Sequence, residues 1–162
     1  MPRHAAVVVA ILLGAYESDA EVSREPNEGG AVVEIASPAF SEGDTVPIQF
    51  TCDGDNLSPP LSWSGVPEDA EELRISLKDP DAPSGSFTHW LVSGVDPSSS
   101  NVGQGTVPAG GSEEMNSFGE TGYGGPCPPP GDDPHRYVFL VEALGATGDV
   151  LASAELTTTY GR

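Results

Sequence analysis

Basic residues are scarce in this 162-residue sequence, which has 6 lysines and arginines against 25 aspartates and glutamates, and Lys78 is the only lysine. The formal net charge of −19 repels phosphate backbones and anionic membrane surfaces, so we expect no nucleic-acid binding and no polybasic attachment to lipid. The acidic residues are scattered along the chain, which indicates a solvated surface rather than an acidic tail. We therefore predict a solvated, acidic surface. We also hypothesise that the protein is adapted to high salt, as in a halophilic source.

Long hydrophobic runs are also lacking. The most apolar stretch, Ala5–Ala15, is shorter than the roughly 20 residues of a membrane-spanning helix. It is typical of the core of a signal peptide, and a buried strand or helix of the domain is the alternative. No cysteine directly follows it, so we do not expect a lipid-modified anchor.

These features predict three parts of the chain. Residues 1–20 are a signal-peptide-like segment, residues 21–30 are an acidic linker without periodicity, and residues 31–162 form the folded domain. We therefore expect a protein that is secreted or tethered to the surface through its N-terminal segment.

Helical periodicity is missing from the predicted domain. In ELRISLK, Leu73, Ile75 and Leu77 alternate with polar residues, as in a half-buried strand. The segments THWLVSGV and RYVFLVEAL are apolar on both faces, which is typical of central strands. AVVEIAS, DTVPIQF and VLASAELTTTY complete the set of short β-like segments. The pattern predicts one mostly β domain, an antiparallel two-sheet β-sandwich with little helix.

Strand parity places several polar residues at one end of this sandwich. Asp79 continues the inward face of Leu77 where Pro80 ends the strand, and Asp81 has the same parity. Tyr137 lies on the inward face of a later strand, and His135 precedes it by two residues. We expect these four polar side chains to converge, with Arg136 pointing away from them.

Several motifs in order carry a resemblance to a known family: DPDAP at 79–83, HWLV at 89–92, NSFG at 116–119, TGYGGPCPP at 121–129 and HRY at 135–137. The sequence resembles the phosphatidylethanolamine-binding proteins, in particular the prokaryotic Raf kinase inhibitor-like branch of YbhB/YbcL type. The segments FTCDGDNLSPPLSW and LASAELTTTYGR fit the same branch, so the resemblance extends over about residues 32–162.

The resemblance implies a mostly antiparallel β fold with a small preformed anion pocket that accepts phosphate-bearing ligands such as phospholipid headgroups. We identify no catalytic residue in the sequence, and we expect no metal and no cofactor. The glycines and prolines of the 122–134 loop would let the backbone approach the ligand and hold the pocket open before binding. The ligand-binding residues implied by motif position are Asp79, Asp81, Ala82, His89, Gly125, Cys127, Pro128, His135 and Tyr137.

Other functions remain as alternatives. The family resemblance includes members that inhibit proteases or bind kinases, so a protein inhibitor or scaffold acting through its surface is the main one. Cys127 and His135 could form a nucleophile and base, although no oxyanion-stabilising motif accompanies them. The histidines and aspartates could hold a metal, although their spacing matches no common metal motif. A homodimer and an unidentified protein partner stay open.

Two further features leave alternatives open. Cys52 and Cys127 are the only cysteines, and they form either one disulfide or two free thiols. Relatives usually carry a short helical insertion where this chain has only GATGD at residues 145–149. Because that insertion often shapes a wall of the pocket, its absence predicts a wider and shallower site.

Overall fold

A computed structural model describes residues 32–162. The predicted signal-like segment and linker therefore lie outside the described residues. Within them, no helix is long and apolar enough to cross a bilayer. The described chain forms a short 3₁₀ helix at Ile48–Phe50 and eight strands: β1 Glu34–Ala36, β2 Leu61–Ser64, β3 Glu72–Asp79, β4 Phe87–Val95, β5 Asn101–Val102, β6 Ser112–Glu113, β7 His135–Leu144 and β8 Val150–Tyr160.

The strands form two sheets. One has three strands in the order β1-β2-β5, and the other has five in the order β6-β4-β3-β7-β8. Every paired strand in both sheets is antiparallel to its neighbour. The predicted antiparallel two-sheet fold is confirmed.

The alternation seen in the sequence produces the core. Leu77 lies opposite Phe139, and Ile75 opposite Val141, where β3 pairs with β7. All four side chains are fully buried, and Phe139 packs against Phe40 with ring centroids 5.5 Å apart. Burying each such side chain contributes about 1.5–3 kcal/mol, so these central strands anchor the fold.

One predicted strand is wrong. In DTVPIQF only Thr45 makes a β-bridge, with Thr159, and Ile48–Phe50 turns into the 3₁₀ helix. Pro47 explains the change, because proline cannot donate a hydrogen bond to a neighbouring strand. Phe50 is nevertheless fully buried, so the apolar pattern correctly predicted its burial.

The shortened 145–149 segment forms the hairpin between β7 and β8. The Gly145 N–H donates to the Asp149 carbonyl at 2.9 Å, and Gly148 adopts a φ of +80° that favours glycine. This hairpin follows Leu144, at the opposite end of β7 from His135. The expectation that its shortness widens the predicted pocket is therefore wrong in this fold, because the hairpin lies at the other end of the sheet.

Candidate ligand-binding site

A cavity of about 240 Å³ lies at one end of the five-stranded sheet. Antiparallel pairing brings the end of β3 and the starts of β4 and β7 to this edge, as the pairing of Asp79 with Phe87 shows. Six of the residues predicted from the sequence line the cavity: Asp79, Ala82, His89, Cys127, Pro128 and His135.

Asp79 and His135 form a buried pair in the cavity wall. The His135 Nδ1–H donates to Asp79 Oδ2 at 2.8 Å, and the two side chains are 7% and 4% exposed. The other carboxylate oxygen, Asp79 Oδ1, accepts from the Asp81 N–H at 2.8 Å. The hydrogen bond to Asp79 raises the pKa of His135, so the pair favours a charged imidazolium.

His89 is held differently. Its Nδ1 lies 2.8 Å from the Gly124 carbonyl oxygen and 3.0 Å from that of Gly125. The ring is 3% exposed and meets Tyr137 and Phe118 edge to face. Burial lowers the pKa of His89, so the two histidines of the cavity are shifted in opposite directions.

Tyr137 does not line the cavity. Its ring is fully buried beside those of His89 and His135, with centroids 5.3 Å and 6.5 Å away. The hydroxyl makes no hydrogen bond of ordinary geometry among residues 32–162, and burial raises its pKa. Tyr137 points inward as predicted, and it lies in the core behind the two histidines.

Asp81 also lies outside the cavity. Its Oδ2 accepts from the Arg136 backbone N–H and Nε, both at 2.9 Å, and its Oδ1 accepts from Nη2 at 2.7 Å. Strand parity predicted Asp81 inside, but β3 ends at Asp79, and the following turn frees Asp81 to pair with Arg136. Arg136 points outward as predicted.

The ion pair between Asp81 and Arg136 predicts a specific titration change. Hydrogen bonds from Arg136 lower the pKa of Asp81 to about 2. Arg136→Gln is expected to raise that pKa toward the ordinary aspartate value of about 3.9. An NMR titration of the Asp81 carboxyl carbon measures the shift, with Arg74→Gln on β3 as the control that should leave Asp81 unchanged. A pKa that stays near 2 in Arg136→Gln would show that another group holds the carboxylate.

Gly125 is required for packing between backbone segments, and it does not line the cavity. Its N–H donates to Asn56 Oδ1 at 2.8 Å, and a Cβ placed on it would lie 2.3 Å from the Phe50 carbonyl oxygen. It lines a neighbouring cavity of about 180 Å³ instead. The close approach that requires glycine here is between two backbone segments of the protein.

Cys52 and Cys127 form a disulfide, with Cα atoms 5.4 Å apart. The bridge ties the proline-rich loop to the segment after the 3₁₀ helix, and it resolves the alternative left open by the sequence. A bridged sulfur is not a thiolate, so this structure does not supply the nucleophile that a Cys127–His135 hydrolase would need.

The apolar rim of the cavity was not predicted from the sequence. Phe87 and Phe118 both line it, with ring centroids 4.7 Å apart, and Phe118 is 48% exposed. Asn116 shapes the turn that carries Phe118, because its Oδ1 accepts from the Phe118 N–H at 2.9 Å. The sequence does contain one indication of this rim, because Phe118 is a large apolar residue within a polar turn. Pro83, Ser84 and Pro129 complete the lining.

Metal binding finds no geometric support here. Among residues 32–162, no group of three or more histidine, cysteine, aspartate or glutamate side chains is arranged to hold a metal ion. Asp79 Oδ2 and His135 Nδ1 are hydrogen-bonded to each other, so neither atom is free to bind a metal.

Comparison with known proteins gives consistent matches. Residues 36–161 match the family model described as phosphatidylethanolamine-binding protein. A Mycobacterium tuberculosis protein named as a candidate lipoprotein, LppC, is 43% identical over 136 residues, covering 79% of this chain and 67% of the relative. An Aquifex aeolicus protein of the UPF0098 group is 42% identical over 120 residues, covering 72% of this chain and 70% of that protein.

Two solved structures share the fold. Escherichia coli YbcL, titled a member of the mammalian PEBP family, has a TM-score of 0.76 and 29% identity, covering 82% of this chain and 99% of that chain. Chlamydia trachomatis CT736, titled a PEBP homologue, has a TM-score of 0.74 and 36% identity over the same shares of the two chains. This chain spans about two thirds of the length of the mycobacterial relative.

Proposed function

Because this chain belongs to the phosphatidylethanolamine-binding protein family, whose members are small-ligand-binding proteins, we propose that it binds a small phosphate-bearing ligand in the cavity beside Asp79 and His135. The observation that carries the proposal is the buried carboxylate–imidazole pair in the wall of a mostly apolar cavity. We propose no catalytic step for this site.

The chemistry of the wall suits a phosphate oxygen. With Nδ1–H bound to Asp79, a charged His135 has a second donor at Nε2. A hydrogen bond from an imidazolium to a phosphate oxygen is charge-assisted and stronger than a neutral one. Phe87 and Phe118 give the apolar part of a ligand, such as an acyl chain of a phospholipid, a surface to contact.

The preformed rim reduces the cost of binding. Pro128 and Pro129 fix their own φ angles, and Cys127 between Pro126 and Pro128 is bridged to Cys52. Little conformational entropy remains to be lost when a ligand arrives.

The affinity for phosphorylethanolamine is expected to fall as the pH rises from 5 to 8. The pKa of His135 is raised by Asp79, so the charged form persists below that pKa and is lost as the pH passes through it. Isothermal titration calorimetry across this range measures the effect. His135→Ala should abolish most of the binding, whereas the exposed Arg136→Ala should retain it. Affinity that does not change with pH, or full binding by His135→Ala, would contradict the proposal.

We also propose that the protein acts outside the cytoplasm. The support is the disulfide, which persists in oxidising compartments, together with the apolar run at Ala5–Ala15 and the lipoprotein name of the mycobacterial relative. Cell fractionation with thiol labelling tests it: the native protein should be found in the exported fraction with both cysteines protected. A cytoplasmic protein with two labelled cysteines would overturn it.

A further inference from the structure

The ring of His89 is fixed as one tautomer. Its Nδ1 faces two carbonyl oxygens, those of Gly124 and Gly125, at 2.8 Å and 3.0 Å. A carbonyl oxygen has no hydrogen to give, so Nδ1 must carry the proton and donate. In the neutral ring, Nε2 is then a bare acceptor, and it makes no hydrogen bond within residues 32–162. Since His89 lines the cavity, Nε2 is the nitrogen left for a ligand.

The surroundings of His89 favour this neutral ring. It is buried against the rings of Phe118 and Tyr137, and burial is the main cause that lowers its pKa. The charged groups facing it are Asp79 on β3, which favours a proton on His89, and His135 on β7, which disfavours one. A proton on His89 would place a second positive charge beside that of His135.

His135 has the opposite character. Its Nδ1–H is bound to Asp79, and the charged ring presents Nε2–H. The titratable groups around it are Asp79, Asp81, Asp132, His89 and the Tyr137 hydroxyl, and the three carboxylates all favour its charged form. The cavity therefore presents one hydrogen-bond donor, on His135, and one acceptor, on His89.

The charge around the cavity disfavours a doubly charged ligand. Asp132 Oδ2 lies 3.7 Å from His135 Nε2, and Asp79 already neutralises that ring. No lysine or arginine lines the cavity in the described part of the chain, and Arg136 and Arg162 are paired with Asp81 and Asp53. In a protein of net charge −19, a second negative charge on the ligand meets no free cation here.

We propose that the cavity selects a phosphate monoester or phosphonate in its monoprotonated form, whose P–OH donates to His89 Nε2 while a P–O oxygen accepts from His135 Nε2–H. This inference rests on the proposed function and narrows it. The dianion of a phosphate monoester lacks the hydroxyl and adds a charge, and a phosphodiester has the single charge but no hydroxyl. Of these three forms, only the monoprotonated monoester supplies both partners.

Three probes of nearly the same shape separate these properties. Benzylphosphonate and α,α-difluorobenzylphosphonate both lose a second proton, but fluorine withdraws electrons and lowers the second pKa of the difluoro compound. Monomethyl benzylphosphonate is a monoanion that has no P–OH. All three present the same phenyl ring to Phe87 and Phe118, and their affinities are measured by calorimetry from pH 6 to 8.

We expect benzylphosphonate to keep its affinity to a higher pH than the difluoro compound, by the difference between their second pKa values. The protein titrates identically in both experiments, so this difference reports the protonation of the ligand. The monomethyl ester should bind about ten-fold more weakly at pH 6, the usual effect of losing a buried hydrogen bond.

His89→Asn provides a matched variant. The asparagine NH₂ can still donate to the carbonyls of Gly124 and Gly125, but the acceptor at Nε2 is removed. Circular dichroism checks that the variant folds, and it should bind benzylphosphonate and its monomethyl ester equally. If it does not fold, the three probes on the unchanged protein decide the question.

The outcomes are distinct. Equal affinity for benzylphosphonate and its monomethyl ester would overturn the inference and leave the proposed function standing. Loss of affinity for benzylphosphonate and for its difluoro analogue at the same pH would do the same. No binding of any probe or of phosphorylethanolamine at pH 6 would overturn both. To separate lipid from free ligand, vesicles containing phosphatidate, a lipid phosphomonoester, are compared with vesicles of the same surface charge that contain only phosphodiester lipids. Measurable and equal binding to both would also contradict the inference, whereas a protein that binds the soluble monoesters and neither vesicle takes a free ligand.

Discussion

Replacing Cys52 and Cys127 together by serine is expected to lower the free energy of unfolding by about 4 kcal/mol. The two residues are bridged across a sequence separation of 75. In the chain-entropy description, a crosslink across so long a loop restricts the unfolded chain strongly, and that restriction is lost in the variant. Few single features of a domain this size contribute as much.

Urea unfolding followed by tryptophan fluorescence measures this loss. The unchanged protein is compared with and without a reductant, and the double-serine variant is treated in the same way. Reduction should destabilise the unchanged protein by about as much as the substitution does, and it should have no effect on the variant. A variant as stable as the oxidised protein would show that the loop is held by its other contacts.

The same variant also tests the cavity. Cys127 lies in the cavity wall between two prolines, and its disulfide bond to Cys52 restrains its position. Without the bridge, the loop has more conformations to lose on binding, so the affinity for phosphorylethanolamine should decrease even where the variant is fully folded.

Asp79→Asn is expected to reduce the affinity for phosphorylethanolamine at pH 7 by about 10- to 100-fold, the range associated with losing a hydrogen bond to a charged group. The amide oxygen can still accept from His135 Nδ1–H, but the negative charge that raises the pKa of His135 is gone. The pKa should fall, so a larger share of the rings is neutral at a given pH. A neutral ring with hydrogen on Nδ1 has only a lone pair at Nε2, so it cannot donate to the ligand.

The stability of Asp79→Asn should depend on pH in a definite direction. The pKa of His135 is raised in the folded protein, so this interaction stabilises the fold fully below the unfolded histidine pKa of about 6.5. The stabilisation is lost as the pH rises through the folded pKa. The variant should therefore be less stable than the unchanged protein by about 2 kcal/mol at pH 6, and the difference should shrink at pH 9.

Histidine NMR titrations provide the direct measurement. His135 should titrate at a lower pH in Asp79→Asn than in the unchanged protein, whereas Asp132→Asn should cause a smaller shift because Asp132 lies 3.7 Å away. An unchanged His135 titration in Asp79→Asn would contradict the assignment of Asp79 as its partner.

The fold was predictable where burial alone decides the pattern. Alternation of Leu73, Ile75 and Leu77 predicted the central strand β3, and the same period placed Tyr137 and Phe139 inside. The same alternation wrongly predicted a strand around Pro47, because proline lacks the backbone N–H that a strand needs there. Element type follows from periodicity only while the backbone can make its ladder of hydrogen bonds.

The site was predictable only in part, for related reasons. Parity placed Asp79 correctly because Asp79 is the last residue of its strand, and it misplaced Asp81 because parity ends where the strand ends. Gly125 was identified as a point of close approach, but what approaches is the Phe50 carbonyl, which is distant in sequence. The tautomer of His89 depends on two carbonyls of a remote loop, and no local pattern reveals such a contact.

The hairpin between β7 and β8 has a practical consequence. The ten residues of β7 separate it from His135, a distance of about 30 Å along an extended strand. Changes of length at residues 145–149 can therefore accumulate without altering the chemistry of the cavity, and turns of this kind tolerate insertion well. A fluorophore or an affinity peptide grafted there would report on the intact protein while leaving its ligand-binding end free, which makes this turn the natural handle for immobilising the molecule.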